Sequence, residues 1–305
     1  MKKLIIFTDL DGTLLDHYTY SFDAALPALK LLKEKNIPLI ICSSKTKREI
    51  EYYREKLDNR HPFISENGGG IFIPKGYFEF TVHGSQFTVT DNKNVIPAKA
   101  GLQEDMDSRL KTSGMTGKRP FGDEDNYYVI RLGARYSDLR KAVEELRKEG
   151  FDVKGFGDMM AEELAETANM SLEEASMAKE RDFDEPFIFK GDDVELKRLF
   201  ESITAKGFNY TQGRFFHILG NSDKGRAVSI LIDLYIKRFG DIKTIAIGDS
   251  PNDIPMLKNV DHPAIVQRPD GTYDQRIDIP NLHKAEGIGP EGWNNVVLRL
   301  IQAQT

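Results

Sequence analysis

Leu4-Ile5-Ile6-Phe7-Thr8-Asp9-Leu10-Asp11-Gly12-Thr13 decides how this chain is read. The apolar run is continuous rather than alternating, as expected of a strand covered on both faces, and it ends in two carboxylates on a chain turning at Gly12. In open α/β sheets ligands bind beyond the carboxyl ends of the strands, so a small site belongs here. Carboxylates at i and i+2 can face one such site. One can attack phosphorus, since aspartate is a known covalent nucleophile, while the other moves protons. The competing reading is a plain strand end, because Asp-Gly is a common turn pair.

Working outward, the same grammar repeats. From Ser21, an N-cap candidate, to Lys35, the spacing of Ala25, Leu26, Leu29 and Leu32 predicts a helix. Asn36-Ile37-Pro38 breaks it, and a second buried strand follows over Pro38–Ser43. Thr46-Lys47-Arg48-Glu49 is a capping box, and Phe63–Ser65 reads as a third strand entering Glu66-Asn67-Gly68-Gly69-Gly70. Late in the chain, Lys224–Phe239 is predicted helical, Thr244–Ile247 a strand, Ser250-Pro251 an N-cap and first-turn pair, and Pro263–Val266 another strand. Strands alternating with helices predict an α/β fold, a doubly wound, mostly parallel Rossmann-like sheet. The middle differs, with helices expected over Ser137–Glu149, Met159–Glu166 and Ser171–Glu180 and strands over Tyr127–Leu132, Phe187–Phe189 and Phe215–Leu219. It reads as an inserted α+β cap domain over 84–219, with the core over 1–83 and 220–305.

Composition bounds the partners. A chain of 305 residues fits about two domains at ~150 residues each. Its 40% hydrophobic and 30% charged residues suit a globular protein with a real core. A net charge of -6 lacks the positive field of a nucleic-acid binder. One cysteine, Cys42, excludes an internal disulfide and a multi-cysteine metal site, and fits a reducing compartment. The N-terminal apolar run stops at Asp9, too short for a signal peptide, and no run reaches membrane-spanning length. A cytoplasmic protein is the expectation.

Three further stretches carry polar groups where chemistry would sit. Gly248-Asp249-Ser250-Pro251-Asn252-Asp253 follows a strand, and carboxylates from two strand ends can hold Mg²⁺; acids enriched at a helix N-terminus are the alternative. Ser43, in Cys42-Ser43-Ser44-Lys45-Thr46, can hold phosphate oxygens at a helix start or serve only as a cap. Lys224 can neutralise a nucleophile and a transferring phosphoryl group, or simply face solvent.

Together, and in this order, the four stretches resemble the motifs of the haloacid-dehalogenase-like phosphatases: Asp-x-Asp-Gly-Thr, a Ser, a Lys and Gly-Asp-x-x-x-Asp. The resemblance implies Asp9 as nucleophile and Asp11 as general acid/base. It implies Ser43, Lys224 and Asn252 as phosphate contacts. Asp9, Asp249 and the Asp11 carbonyl would ligate Mg²⁺, with Asp253 orienting the site from behind the metal. The long insert is similar to the large cap of the Cof-type branch. Thr8 to His17, Ser43 to Thr46, Glu66 to Gly69, Gly155 to Met159, Arg181 to Phe187, Gly213 to Gly220 and Gly289 to Asn294 resemble the mannosyl-3-phosphoglycerate phosphatase family. That family implies a small sugar-phosphate substrate carrying a carboxylate. On this reading Arg181 and Arg214 would bind the carboxylate, and Asp184, Glu185 and His217 the sugar hydroxyls. Surface charge for Arg181, and strand packing for His217, are the alternatives. Other sugar-phosphate phosphatases, a phosphomutase and a non-catalytic phosphate binder remain open. The stretch around 87–118 is expected as an addition to the cap.

Overall fold

A computed structural model describes residues 2–78, 80–83, 86–89, 121–124 and 126–303. The chain divides into two compact units, residues 1–43, 61–64 and 224–305, and residues 44–60 and 65–223.

The first unit is built on parallel strands. Lys3–Thr8 pairs with Leu39–Cys42 on one side and Ile242–Gly248 on the other; Leu39–Cys42 then pairs with the start of Phe63–Ser65, and Ile242–Gly248 with His262–Gln267, which pairs with His283–Ile288. Ile5, Ile6, Phe7, Ile40, Ile41, Ile245, Ala246 and Ile247 are fully buried, which is why these runs do not alternate. Going along the chain, strands spread one way from Lys3–Thr8 through Leu39–Cys42, and the later ones spread the other way from Ile242–Gly248. The reversal falls between Lys3–Thr8 and Ile242–Gly248, the switch point at which doubly wound sheets form a ligand crevice. Leu26–Glu34 packs with Pro290–Gln302, and Lys224–Phe239 packs with Ile254–Leu257 and the Ile242–Gly248 strand.

The second unit carries a four-stranded antiparallel sheet in the order Asn209–Gln212, Phe216–Leu219, Asp184–Lys190, Asp152–Gly155. The helices Tyr136–Lys148 and Asp193–Ala205 cover it, burying Leu139, Val143, Leu146, Leu199 and Ile203 against Val153, Phe187 and Ile218. A helical pair, Ala161–Ala168 and Leu172–Ala178, closes a second small core around Phe156 and Met159. Gly70–Pro74, Tyr127–Arg131 and Phe121–Glu124 form an antiparallel ribbon. By its packing this unit also takes in the helix Lys47–Lys56, ahead of residue 84. Thr46 Oγ1 donates to the Met177 carbonyl (3.0 Å), and Tyr53 donates to Glu174 (3.3 Å).

Local expectations fared unevenly. The Thr46/Glu49 capping box forms, as does one at Ser171/Glu174. Ser21 does not cap the first helix: its hydroxyl accepts the Asp23 N–H, a 3₁₀ turn follows, and the α-helix starts at Leu26. The helix expected from Met159 starts at Ala161, because Phe156–Asp158 forms its own 3₁₀ turn. The edge strand His283–Ile288 gave no apolar run to read; only Ala285 of it is buried. The 87–118 expectation lies almost wholly outside the described residues.

Candidate active site

Asp9 leaves the Lys3–Thr8 strand at the switch point, its N–H donating to the Ile247 carbonyl of the neighbouring strand (3.0 Å). Asp249 leaves that neighbour in turn, immediately after Gly248. The two strand ends therefore present their carboxylates side by side. Gly12, with φ +73°, turns the loop back so closely that a Cβ there would stand 3.0 Å from Asp249 Oδ2. Thr13, one residue on, donates its hydroxyl to Asp249 Oδ1 (3.2 Å).

Lys224 opens its helix from a fully buried position. Its ammonium reaches Asp9 Oδ1 at 2.7 Å and Asp253 Oδ1 at 2.6 Å. Asp253 Oδ2 accepts the backbone N–H of Asp249 (3.0 Å) and of Ser250 (3.1 Å). Both oxygens of Asp253 are thus committed, and the residue ties the lysine to the Asp249 turn. Ser250 and Pro251 take the expected N-cap and first-turn positions; the Ser250 hydroxyl donates to Asn252 Oδ1 (2.6 Å), and the Asp253 carboxylate accepts the Ser250 N–H. Gly248 is required here, because a Cβ would lie 2.4 Å from Asp253 Oδ2. Ser43 is fully buried at the end of its strand, its N–H on the Ile64 carbonyl (3.1 Å), and Asp11 is half-buried.

Charge in this cluster is unbalanced. Burial pushes Asp9 up to about 7, opposed by Lys224 and reinforced by Asp253 and Asp11. Asp249 is driven well above the carboxylate range by burial, then by Asp253 and Asp9. Lys224 is held above its ordinary value: burial works against it, but Asp253 and Asp9 prevail. Four carboxylates share one ammonium, and the side chains of Asp9, Asp249 and Asp253 offer oxygens within 4.8 Å of one another. This all-oxygen donor set fits a hard divalent cation, which would supply the missing positive charge. Asp253 already accepts three donors, whereas Asp9 accepts Lys224 and Asp249 accepts Thr13, so Asp9 and Asp249 present the more open oxygens to a cation.

The polar residues expected in the cap sit in the second unit, largely turned on one another. Arg181 donates to Asp184 Oδ1 (2.9 Å) and to the carbonyls of Ala178 (3.0 Å) and Ser44 (3.1 Å). His217 Nδ1 sits 2.9 Å from Asp184 Oδ2, which also accepts from Asn67 (2.8 Å). Burial would raise Asp184, yet His217 and Arg181 carry it below the ordinary carboxylate range. Glu66, at φ +47°, is fully buried and accepts the backbone N–H groups of Asp182 (3.1 Å), Phe183 (2.8 Å) and Asp184 (3.0 Å). Burial pushes it up to about 8 against the nearby Arg181. Glu185 is held by Arg140 (2.6 Å), Tyr136 (2.8 Å) and the Gly157 N–H (2.9 Å), and Arg140 and Arg147 also pair with Asp158. Asp184 and Glu185 therefore spend their oxygens inside the unit rather than on sugar hydroxyls, because an ionised carboxylate at zero exposure must find internal donors. Arg214 is exposed, its guanidinium 5.5 Å from the Phe215 ring centre.

Sequence reasoning gave no role to Glu66, Asn67, Thr8 or Trp293. The paired left-handed residues Glu66 and Asn67 are signalled only by Asn67 itself and the Gly68-Gly69-Gly70 that follows.

Comparison with known proteins agrees with this geometry. Residues 6–99 and 137–270 match the haloacid dehalogenase-like hydrolase family. A glucosyl-3-phosphoglycerate/mannosyl-3-phosphoglycerate phosphatase of Methanococcoides burtonii is 46% identical over 301 residues, 98% of this chain and 97% of the relative. A mannosyl-3-phosphoglycerate phosphatase of Pyrococcus furiosus is 36% identical over 259 residues, covering 84% and 88%. Among solved structures, the sucrose-phosphatase of Synechocystis aligns with TM-score 0.59 over 100% of this chain and 99% of its own, at 13% identity, a likeness of fold alone.

Proposed function

The chain belongs to the haloacid dehalogenase-like hydrolases, and from that premise we propose that it is a Mg²⁺-dependent phosphatase of mannosyl-3-phosphoglycerate and its glucosyl analogue. Such an enzyme releases phosphate and the glycosylglycerate through an aspartyl-phosphate. The observation carrying the reading is the Lys224 ammonium held between Asp9 and Asp253 beside Asp249, a charge arrangement suited to a phosphoryl group and a divalent ion. Its substrate follows from relatives that match nearly the whole chain under that activity.

Asp9 is the nucleophile. Lys224 fixes Oδ1, leaving Oδ2 to bond phosphorus as the ester oxygen departs. Asp11, two residues on, gives that oxygen its proton and then takes one from the water that hydrolyses the aspartyl-phosphate. Ser43 and Asn252 hold non-bridging phosphate oxygens, and Lys224 neutralises the charge that grows on them. Asp9, Asp249 and the Asp11 carbonyl would hold Mg²⁺, which would supply the remaining positive charge. Asp253 keeps Lys224 and the Asp249 turn in place. Residues 1–83 and 220–305 form the catalytic core of this reading, and the inserted 84–219 is the cap, with Arg214, His217 and Arg181 as its substrate contacts. The reaction takes place in the cytoplasm, as the lone thiol suits. Among the described residues no helix is long and apolar enough to cross a membrane.

The test is phosphate release from a panel of sugar phosphates with and without Mg²⁺, on the wild-type chain and on Asp9→Asn. The nearly isosteric amide should fold normally and abolish turnover. Full activity of that variant would exclude the covalent route, and phosphate moved between sugar hydroxyls without release would make the chain a mutase.

A further inference from the structure

Trp293 is the one tryptophan of the chain, and the catalytic reading gives it no task. It lies in the helix Pro290–Gln302 of the first unit, completely buried. Its indole N–H donates to Thr8 Oγ1 at 3.0 Å, across 285 positions of sequence. Thr8 Oγ1 in turn donates to the backbone carbonyl of Asp9 at 2.7 Å. The direction of this chain of bonds is fixed by chemistry. An indole nitrogen only donates, and a hydroxyl has one proton, so that proton has to go to Asp9. Successive bonds of one polarity strengthen each other in a dry interior.

The helix is seated to make this reach. Gly292 approaches so closely that a Cβ would lie 2.3 Å from the Gly287 carbonyl oxygen, and Asn294 Oδ1 accepts the Ala28 N–H at 3.0 Å. The N–H of Trp293 bonds to the Gly289 carbonyl at 2.9 Å. Asp9 is consequently held on both sides of its Cα: its own N–H on Ile247, its own carbonyl on the Thr8–Trp293 relay. Lys224 adds a third tie, on the side-chain Oδ1.

We propose that Trp293, acting through Thr8, is a positioning residue for the nucleophile Asp9. The proposal rests on the phosphatase reading for its kinetic consequence. A buried indole needs some acceptor for its N–H. Here the acceptor passes the bond to the peptide of the attacking residue, and in-line attack tolerates little displacement: about 1 Å of misplacement costs on the order of 100-fold.

The experiment compares wild type, Thr8→Val, Thr8→Ser, Trp293→Phe and the double variant Thr8→Val/Trp293→Phe in hydrolysis of p-nitrophenyl phosphate with Mg²⁺, alongside melting temperature. Thr8→Val and Trp293→Phe should each lower kcat by about 10- to 100-fold with KM little changed. Thr8→Ser, which keeps the hydroxyl, should stay within a few-fold of wild type. The double variant should be no slower than the slower single, as for one relay. Full kcat in Thr8→Val, or additive losses that track melting temperature, would overturn the proposal. A second arm needs no turnover. Trp293 emission should shift when Mg²⁺ and beryllium fluoride are added to wild type, and the shift should vanish in Thr8→Val. No shift in a wild type that binds beryllium fluoride, or equal shifts in both, also overturns it. A wild-type chain that neither cleaves phosphomonoesters nor binds beryllium fluoride counts against the phosphatase reading alone; ligand-free Trp293 emission then decides the relay, which is overturned if Thr8→Val matches wild type.

Discussion

Replacing Lys224 with methionine removes the ammonium while keeping an unbranched stem of similar bulk. Two charge-assisted bonds disappear, at 2.7 Å to Asp9 and 2.6 Å to Asp253. Asp9 is 4% exposed and Asp253 fully buried, so water cannot replace the lost donor. Removing one partner of a buried ion pair typically costs ~3–5 kcal/mol, because an uncompensated charge remains. Two carboxylates lose their partner here, so the upper part of that range is expected. The loss depends on pH with a definite sign. Asp9 already stands near 7, above its unfolded value, and without Lys224 it rises further. A carboxyl raised on folding favours the native state below its unfolded pKa, and that contribution is lost as pH rises through the folded value. The variant's deficit should therefore be small near pH 5, where Asp9 is protonated, and largest at pH 8. Urea unfolding followed by Trp293 emission reads the first unit directly, since the only indole lies there. Millimolar Mg²⁺ should return part of the stability through the same oxygens. A deficit under about 1 kcal/mol at pH 8, or one equal at pH 5 and 8, would refute the electrostatic account of the cluster.

Other expectations follow from the same geometry. Asp11→Asn should lose ~10²–10⁴-fold on an alkyl phosphate but less in the burst with p-nitrophenyl phosphate, whose leaving group needs no proton; equal losses would remove Asp11 from the acid role. Arg214→Ala and His217→Ala should each weaken kcat/KM for mannosyl-3-phosphoglycerate by ~1–3 kcal/mol and leave p-nitrophenyl phosphate nearly untouched; parallel losses with a lower Tm would make them packing residues. Asp184, held below its ordinary value, stabilises the fold above about pH 4 and loses that effect as pH falls through its folded pKa. Wild type should accordingly lose stability between pH 5 and 3 more steeply than Asp184→Asn in calorimetry.

What the sequence determined by itself was local and periodic. Continuous apolar runs named the buried strands, a polar pair after each named their ends, and Thr46-x-x-Glu49 named a helix start, because such signals act within four residues. Asp9, Asp11, Ser43 and Asp249 stand out locally because each follows a readable strand; Lys224 opens a helix, and its proposed role comes from the resemblance to the haloacid-dehalogenase-like motifs. The tertiary structure alone decided which distant groups share a dry volume. Lys224 meets Asp9 across 215 positions, Trp293 meets Thr8 across 285, and Asn67 meets Asp184 across 117. Helix and turn residues are brought to strand ends by tertiary packing in those meetings, and no short-range pattern encodes it. Burial then settles roles that residue type leaves open. Asp184 and Glu185 read as partners for sugar hydroxyls, yet at zero exposure they must be satisfied from within, and they become the pins of the second unit. Asp253 likewise reads as one more acid at a helix start. Its two oxygens, one on the Lys224 ammonium and one on the Asp249 and Ser250 N–H groups, make it the brace between Lys224 and the Asp249 turn.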